Sequence, residues 1–506
     1  MKTIIWKDMG TRFFTKSRFL LLLMLGVEVS VFAQQKHPNI IYIYADDMGY
    51  GELGVYGQTQ IKTPHLDNMA EEGIRFTQHY SSAPVCAPSR AMLLTGRHAG
   101  HAYIRGNYEM GGFQDSTEGG QMPLPEGIMT IPNMLKNKGY KTAIVGKWGL
   151  GMSFTTGDPQ KQGFDYAYGF LDQKQAHNYY PTHLWENGQW VTLDNPYVFV
   201  HQSIKPEDAR DEAFEQFHGN DYAPAKMTQK ALQFITDNTT HSFFLYLPYT
   251  IPHVGLQVPK TYVDRYVGQF PQEEPYYGEN GYNPSRYPLS TYAAMITYLD
   301  DQVGILLARL KELGLDKNTL VLFSSDNGAT FNGGVQPEFF NSAGGLRGLK
   351  MDVFEGGIRV PLIARWPGHI QPGTVSDHIS VQYDMMATFA ELTGQKDIDS
   401  DGISLLPTLL GHKDEQELHR YLYFEYPEKG GQIAIRMGPW KAIKLNVRKK
   451  GYAHSPWQLY NLEDDRAERN DVAHRHPELL RQFDRIVQKE HQQAPIREWE
   501  FVDPKF

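Results

Sequence analysis

The chain holds one cysteine, Cys86, and it heads the run Cys86-Ala87-Pro88-Ser89-Arg90, with Leu94-Thr95-Gly96-Arg97 just beyond. Pro88 suits the first turn of a helix, so the pattern puts Cys86 at a helix N-terminus, where backbone N–H groups favour an anion. Far apart in sequence stand two pairs of oxygen donors, Asp46-Asp47 and Asp326-Asn327, each closing a run that reads as a strand. Carboxylate and amide oxygens without histidine or cysteine suit calcium better than zinc, with magnesium the lesser alternative. Either pair taken alone also fits a helix cap or a turn. His253 ends another such run in Thr250-Ile251-Pro252-His253. An imidazole there suits a general acid, or else satisfies backbone groups at the strand end.

Together these motifs resemble the type I sulfatases, whose active-site signature is C-x-P-S-R with a downstream L-T-G-R. The resemblance runs from about Asn39 into the C-terminal region and carries a set of expectations. It implies that a maturating enzyme oxidises Cys86 to formylglycine (3-oxoalanine), whose hydrated aldehyde is the nucleophile. One hydroxyl of the diol attacks sulfur and the other later expels sulfate, which splits one hard step into two easier ones. It implies that Asp46, Asp47, Asp326, Asn327 and residue 86 hold one Ca2+. It implies that Arg90 fixes the formylglycine and that Lys147, in Gly146-Lys147-Trp148, contacts the sulfate. Lys350, just before Glu355-Gly356-Gly357-Ile358-Arg359, takes a second sulfate contact, and His253 the leaving-group oxygen. One departure stands out: where the family commonly has G-K-W-H-L-G, this chain has Gly149 in place of the histidine. That leaves open the base for sulfate release, with His98, His253 or a water as candidates.

The segment Leu171 to Pro181, with His177, resembles one found in bacterial carbohydrate sulfatases, and the stretch from His98 to Arg105 and Asn107 has similar character. Imidazole and amide groups suit sugar hydroxyls, and aromatic rings suit stacking on sugar faces. His177, His98 and Arg105 are therefore candidate substrate contacts. The resemblance points to a sulfated carbohydrate, with a galactose-type sugar carrying a 3-O-sulfate as the specific expectation. The alternatives are a phosphoryl or phosphonate ester hydrolase of the same superfamily and a non-catalytic glycan-binding relative.

The elements that must position these residues alternate from about Pro38 to Leu410. Short apolar runs such as Asn39–Ala45, Thr142–Val145, Ser242–Leu247 and Leu320–Phe323 are separated by helical patterns, among them Ser290–Leu313 with Ser290 as its cap. This predicts an α/β fold with a mostly parallel sheet between helices, alkaline-phosphatase-like by the resemblance, with ligands at the carboxyl edge. Pro271–Pro288 reads as a long loop beside the site. After Leu410 the pattern changes to strands of a small antiparallel sheet and a closing helix. The expected organisation is a signal peptide over 1–33, a catalytic domain over 34–410 and a C-terminal α+β subdomain over 411–506. The leader carries Lys2, Lys7, Arg12, Lys16 and Arg18 ahead of an apolar stretch ending at Val31-Phe32-Ala33. That pattern predicts cleavage and export to the periplasm or beyond, with no membrane insertion afterwards. A net charge of −9 without basic blocks argues against nucleic acid.

Overall fold

Asn39–Asp46 (NIIYIYAD) is rich in β-branched and aromatic residues and is buried along its whole length, so it forms a central strand, β1. Ile41, Ile43 and Ala45 face one layer of the core, and Ile40, Tyr42 and Tyr44 the other. In the computed structural model residues 37–271, 273–396 and 398–503 are described, besides Met1 and Thr3. The leader and its candidate cleavage site lie outside the described residues. Pro38–Phe506 forms one compact unit.

The other strands of the large sheet are β2 (Ile74–Phe76), β3 (Lys141–Lys147), β4 (Tyr166–Phe170), β5 (His183–Glu186), β6 (Gln189–Thr192), β7 (Phe243–Pro252), β8 (Thr319–Ser325), β9 (Leu362–Arg365) and β10 (Thr374–Ser376). They lie in the order β10-β2-β9-β8-β1-β7-β3-β4-β5-β6. The central run from β8 to β4 is parallel, and antiparallel pairs flank it on both sides. Helices cover both faces. One side packs α3 (Ala223–Asp237) and α4 (Pro288–Glu312). The other packs α1 (Cys86–Thr95), α2 (Ile131–Lys136) and α5 (Asp384–Leu392). Each fully buried aliphatic or aromatic side chain of β1 stabilises this stack by roughly 1.5–3 kcal/mol.

The long helix starts two residues earlier than the sequence pattern suggests. Pro288 takes the first turn, and Ser290 lies inside the helix. The capping acceptor comes instead from the preceding loop, where the Glu273 carboxylate accepts from Ser290 N at 2.7 Å and Ser290 Oγ at 2.6 Å.

Beyond residue 410, β11 (Leu422–Tyr426), β12 (Gln432–Met437), β13 (Trp440–Lys444) and β14 (Gln458–Asn461) form an antiparallel meander. One face packs on Phe483, Ile486 and Val487 of α6 (Pro477–Glu490), the other on Val85, Val353 and Ile358 of the main body. Among the described residues no helix is long and apolar enough to cross a membrane.

Candidate active site

Four neighbouring parallel strands, β8, β1, β7 and β3, end on the same edge of the sheet. Asp46 is the last residue of β1 and Lys147 of β3, His253 follows β7, and Asp326-Asn327 follows β8. Cys86 opens α1, as its spacing to Pro88 predicts. One short cluster results. The Cys86 thiol donates to Asp46 Oδ1 at 3.2 Å and lies 3.7 Å from Asp47 Oδ1. Lys147 Nζ meets Asp46 Oδ2 at 2.5 Å, and Lys350 Nζ meets Asp47 Oδ2 at 2.7 Å. Asn327 Nδ2 donates to Asp47 Oδ1 at 2.8 Å, and His253 Nε2 stands 3.6 Å from Asp47 Oδ2.

Asp47 adopts φ 68°, a left-handed conformation that Asp tolerates better than most residues. Its backbone N–H then donates to Asp326 Oδ1 at 2.9 Å, which ties the two acidic pairs together. Arg90 closes the group from below, with Nη1 on Asp326 Oδ2 at 3.2 Å, Nε on the Trp148 carbonyl at 3.0 Å and Nη2 on Gln173 Oε1 at 2.6 Å.

Burial and charge set the protonation of this cluster. Burial raises the Asp46 carboxyl, but the Lys147 ammonium, with His253, Arg90 and Lys350 about it, holds it well below the usual carboxylate range. Asp326 goes the other way, pushed well up by burial and by the charges of Asp46 and Asp47. Burial, Asp326 and Asp46 also push the Cys86 thiol well up, so the unmodified side chain is a poor thiolate nucleophile. Burial and the Lys350 charge lower His253 to about 4. Its Nδ1 donates to the Val254 carbonyl, which turns Nε2 toward the cluster.

His177 stacks on His253 with ring centroids 4.7 Å apart, and its buried Nδ1 has no partner among the described residues. His201 and Tyr282 pack edge-on against it, at 5.5 and 5.1 Å. Tyr282 belongs to the loop expected beside the site, whereas no pattern in the sequence marks His201.

Two candidates lie elsewhere. His98 falls beyond the far end of α1, whose ten residues span about 15 Å. Its Nε2 pairs with Glu490 Oε2 at 3.1 Å. Arg105 is buried on Glu425 and on the carbonyls of Gly100, Ala102 and Gln492. Both side chains tie the main body to the C-terminal elements, so neither reaches the cluster, and His98 drops out as a base. Sequence spacing could not show this, because Glu490, Glu425 and Gln492 lie more than 300 residues away.

Comparison with known proteins places this arrangement. The family model described as Sulfatase matches residues 38–395, more than half the chain. The chain belongs to the sulfatase family. A model for the C-terminal region of N-sulphoglucosamine sulphohydrolase matches residues 349–493. The chain is 31% identical over 518 residues to an N-acetylgalactosamine-6-O-sulfatase of Bacteroides thetaiotaomicron, covering 89% of this chain and 92% of that one. It is 33% identical over 428 residues to the N-acetylgalactosamine-6-sulfatase of Rattus norvegicus, covering 80% and 71%. Among solved structures, Ps i-CgsB in complex with k-i-k-neocarrahexaose superposes with a TM-score of 0.72 at 28% identity, covering 93% of this chain and 96% of that one. As a sulfatase the chain is a sulfuric ester hydrolase.

Proposed function

We propose that the chain hydrolyses sulfate esters on a carbohydrate, through formylglycine at position 86 and a bound calcium ion. The observation that carries this is the convergence of Cys86, three buried carboxylates, Lys147, Lys350 and His253 at the ends of four adjacent strands. In the proposal the Cys86 sulfur marks where the nucleophilic oxygen of the modified residue stands, and a maturating enzyme makes that change before the chain is active.

The donor set fits a hard divalent cation. Asp46, Asp47 and Asp326 are crowded together at 2% exposure or less, and Asn327 Oδ1 is buried with no hydrogen-bond donor. A calcium ion bound there would neutralise this charge and orient the nucleophile. Lys147 and Lys350 supply fixed positive charge for the sulfate oxygens in a largely buried site. His253, held by the Val254 carbonyl, presents Nε2 to the leaving oxygen, and the arriving anionic ester offsets Lys350 and favours the imidazolium that donates there. With Gly149 in the histidine position and His98 remote, His253 or a water is left to deprotonate the second hydroxyl.

Removing the cation should be visible twice. A chelator should abolish turnover and lower Tm, and added calcium should restore both, since a ligand that binds only the folded chain stabilises it. Asp46→Ala should lose roughly 100- to 1,000-fold in kcat and lose the calcium-dependent part of Tm. A chelated Asp46→Ala protein with full activity would refute the site.

For the sugar, the proposal keeps the galactose configuration and moves the sulfate from the expected O3 to O6. Two of the relatives are named for N-acetylgalactosamine-6-sulfate, whereas nothing in the structure favours O3. Free-sulfate release from 3-, 4- and 6-O-sulfated galactose and N-acetylgalactosamine tests this, and release from the 3-sulfate alone would overturn it. Sulfated and phosphorylated forms of one aryl ester separate a sulfatase from a phosphoryl hydrolase.

His177, stacked on the proposed acid with Nδ1 unpartnered, is placed to read a sugar hydroxyl. A site built to bond one hydroxyl discriminates steeply when that bond is lost. His177→Ala should therefore lower kcat/KM on the sulfated sugar about 100-fold more than on a small aryl sulfate. Equal losses on both would make it a support for His253 instead.

A further inference from the structure

A pocket of about 400 Å³, separate from the catalytic cluster, opens between the end of β2 and the C-terminal sheet. Arg359, Arg436, Arg466, Gln78 and Glu463 line it. Arg359 and Arg436 are 5% and 4% exposed, which is unusual for a guanidinium. Their protein partners account for only part of their hydrogen-bonding capacity. Arg359 donates Nε and Nη2 to the Thr77 carbonyl and Nη1 to Glu355. Arg436 donates to the Gly438 carbonyl at 2.7 Å, Tyr80 Oη at 2.9 Å and Gln78 Oε1 at 3.0 Å. A guanidinium has five N–H donors, so each keeps donors with no acceptor among the described residues. Arg466, on the rim, has no ion pair or hydrogen bond there at all. It stands 5.1 Å from the Tyr50 ring centroid, with Arg359 on the same ring at 5.3 Å.

Charge balance points the same way. Behind the pocket Lys441 pairs with Glu355 and Glu468, each at 2.9 Å. With Arg359 and Arg436, three buried cations therefore face two carboxylates. Burial also pushes the Glu468 carboxyl up, which enlarges the positive excess. Uncompensated buried charge is costly, and Glu463 on the rim is the one carboxylate lining the pocket.

We propose that this pocket is a second oxyanion site, taking a sulfate-type group on the free N–H donors of Arg359, Arg436 and Arg466. Forked donors match tetrahedral oxyanions well. Tyr50, whose ring lies beside Arg359 and Arg466, follows Asp47 by three residues. The oxyanion is either a second sulfate on the same glycan, which rests on the substrate reading above, or free inorganic sulfate.

Selenate, a sulfate analogue with strong anomalous scattering, locates the site directly in crystals of the full chain. An anomalous peak is expected among the three arginines, and Arg466→Glu should remove it while leaving any peak at Lys147 and Lys350. In solution, Arg466→Glu should weaken binding of a polysulfated galactan oligosaccharide about 10-fold, with kcat/KM on a small aryl sulfate unchanged. Loss of the selenate peak alone identifies free anion as the ligand, and loss of both identifies glycan-borne sulfate. No peak in the wild-type chain, with glycan binding unaltered in Arg466→Glu, overturns the proposal. A peak in a protein that releases sulfate from no sugar would sink the substrate reading and leave the pocket standing.

Discussion

Cys86→Ala should fold, bind a sulfated substrate and fail to turn it over. Removing the nucleophile of a preorganised site costs roughly a million-fold in kcat where it has been separated from the other groups. The small change in volume at a helix N-terminus leaves Asp46, Asp47 and the lysines paired with one another, so Tm should move little. Cys86→Ser is the more informative variant. A serine offers one hydroxyl that can attack sulfur, but after the ester oxygen leaves it has no second hydroxyl with which to expel sulfate. It should therefore give at most one turnover per chain and then carry a sulfate ester on Ser, seen as a mass increase on the peptide that starts near position 86. In active wild-type protein the same peptide should contain formylglycine. An unmodified thiol in fully active enzyme would sink the mechanism, because the buried thiol beside Asp46 and Asp326 is held protonated. An unmodified and inactive sample would only show that the expression host lacks the maturating enzyme.

The parts of the candidate site legible in the sequence are those fixed by strand ends, together with Cys86 and Lys350, which their motifs mark. Asp46, Lys147, His253 and Asp326 each sit where an apolar run stops, and parallel pairing brings such ends together whatever the loops do. The mostly parallel sheet between helices and the small antiparallel sheet were readable for the same reason, because alternation and run length survive without tertiary information. Side chains on the other loops were legible only in part. His98 and Arg105 have the composition of a sugar-binding stretch, but Glu490 and Glu425, on the C-terminal helix and sheet, claim them. Gln173 lies in the segment read as facing substrate and instead turns inward to Arg90. Its neighbour His177 does face the cluster. Two residues four apart in one loop thus part company, and only the packed fold decides which way each points. Ser290 illustrates the local version: a plausible cap by type, displaced because Pro288 starts the helix earlier and Glu273 supplies the acceptor.

Arg90→Lys should damage the enzyme nearly as much as Arg90→Ala, although it keeps the charge. The guanidinium is 1% exposed and bonds in three directions at once, to Asp326, to the Trp148 carbonyl and to Gln173. An ammonium is a single point charge on a flexible stem and cannot reproduce a fork in which three nitrogens each hold an acceptor. It would leave the buried Trp148 carbonyl without its donor, at about 1–3 kcal/mol, and free the part-buried Gln173 Oε1. In Arg90→Ala the Asp326 carboxylate also loses its ion-pair partner, and breaking a buried pair typically costs about 3–5 kcal/mol. Both variants should show a lower Tm and a fall in kcat of roughly 100- to 1,000-fold, the scale of losing one fixed electrostatic contact. Gly149 sharpens the test, because the family histidine at this position cannot simply be put back. Gly149 has φ +66°, and a Cβ there would come within 2.8 Å of Arg90 Nη2 and 3.3 Å of Gln173 Oε1. Gly149→His therefore has to displace the Arg90–Gln173 bond and accept a left-handed backbone, so it should lower both Tm and kcat. If Gly149→His instead raised kcat with Tm unchanged, the space now filled by Gln173 would be a vacated base position, and Arg90 would not depend on Gln173 for its orientation.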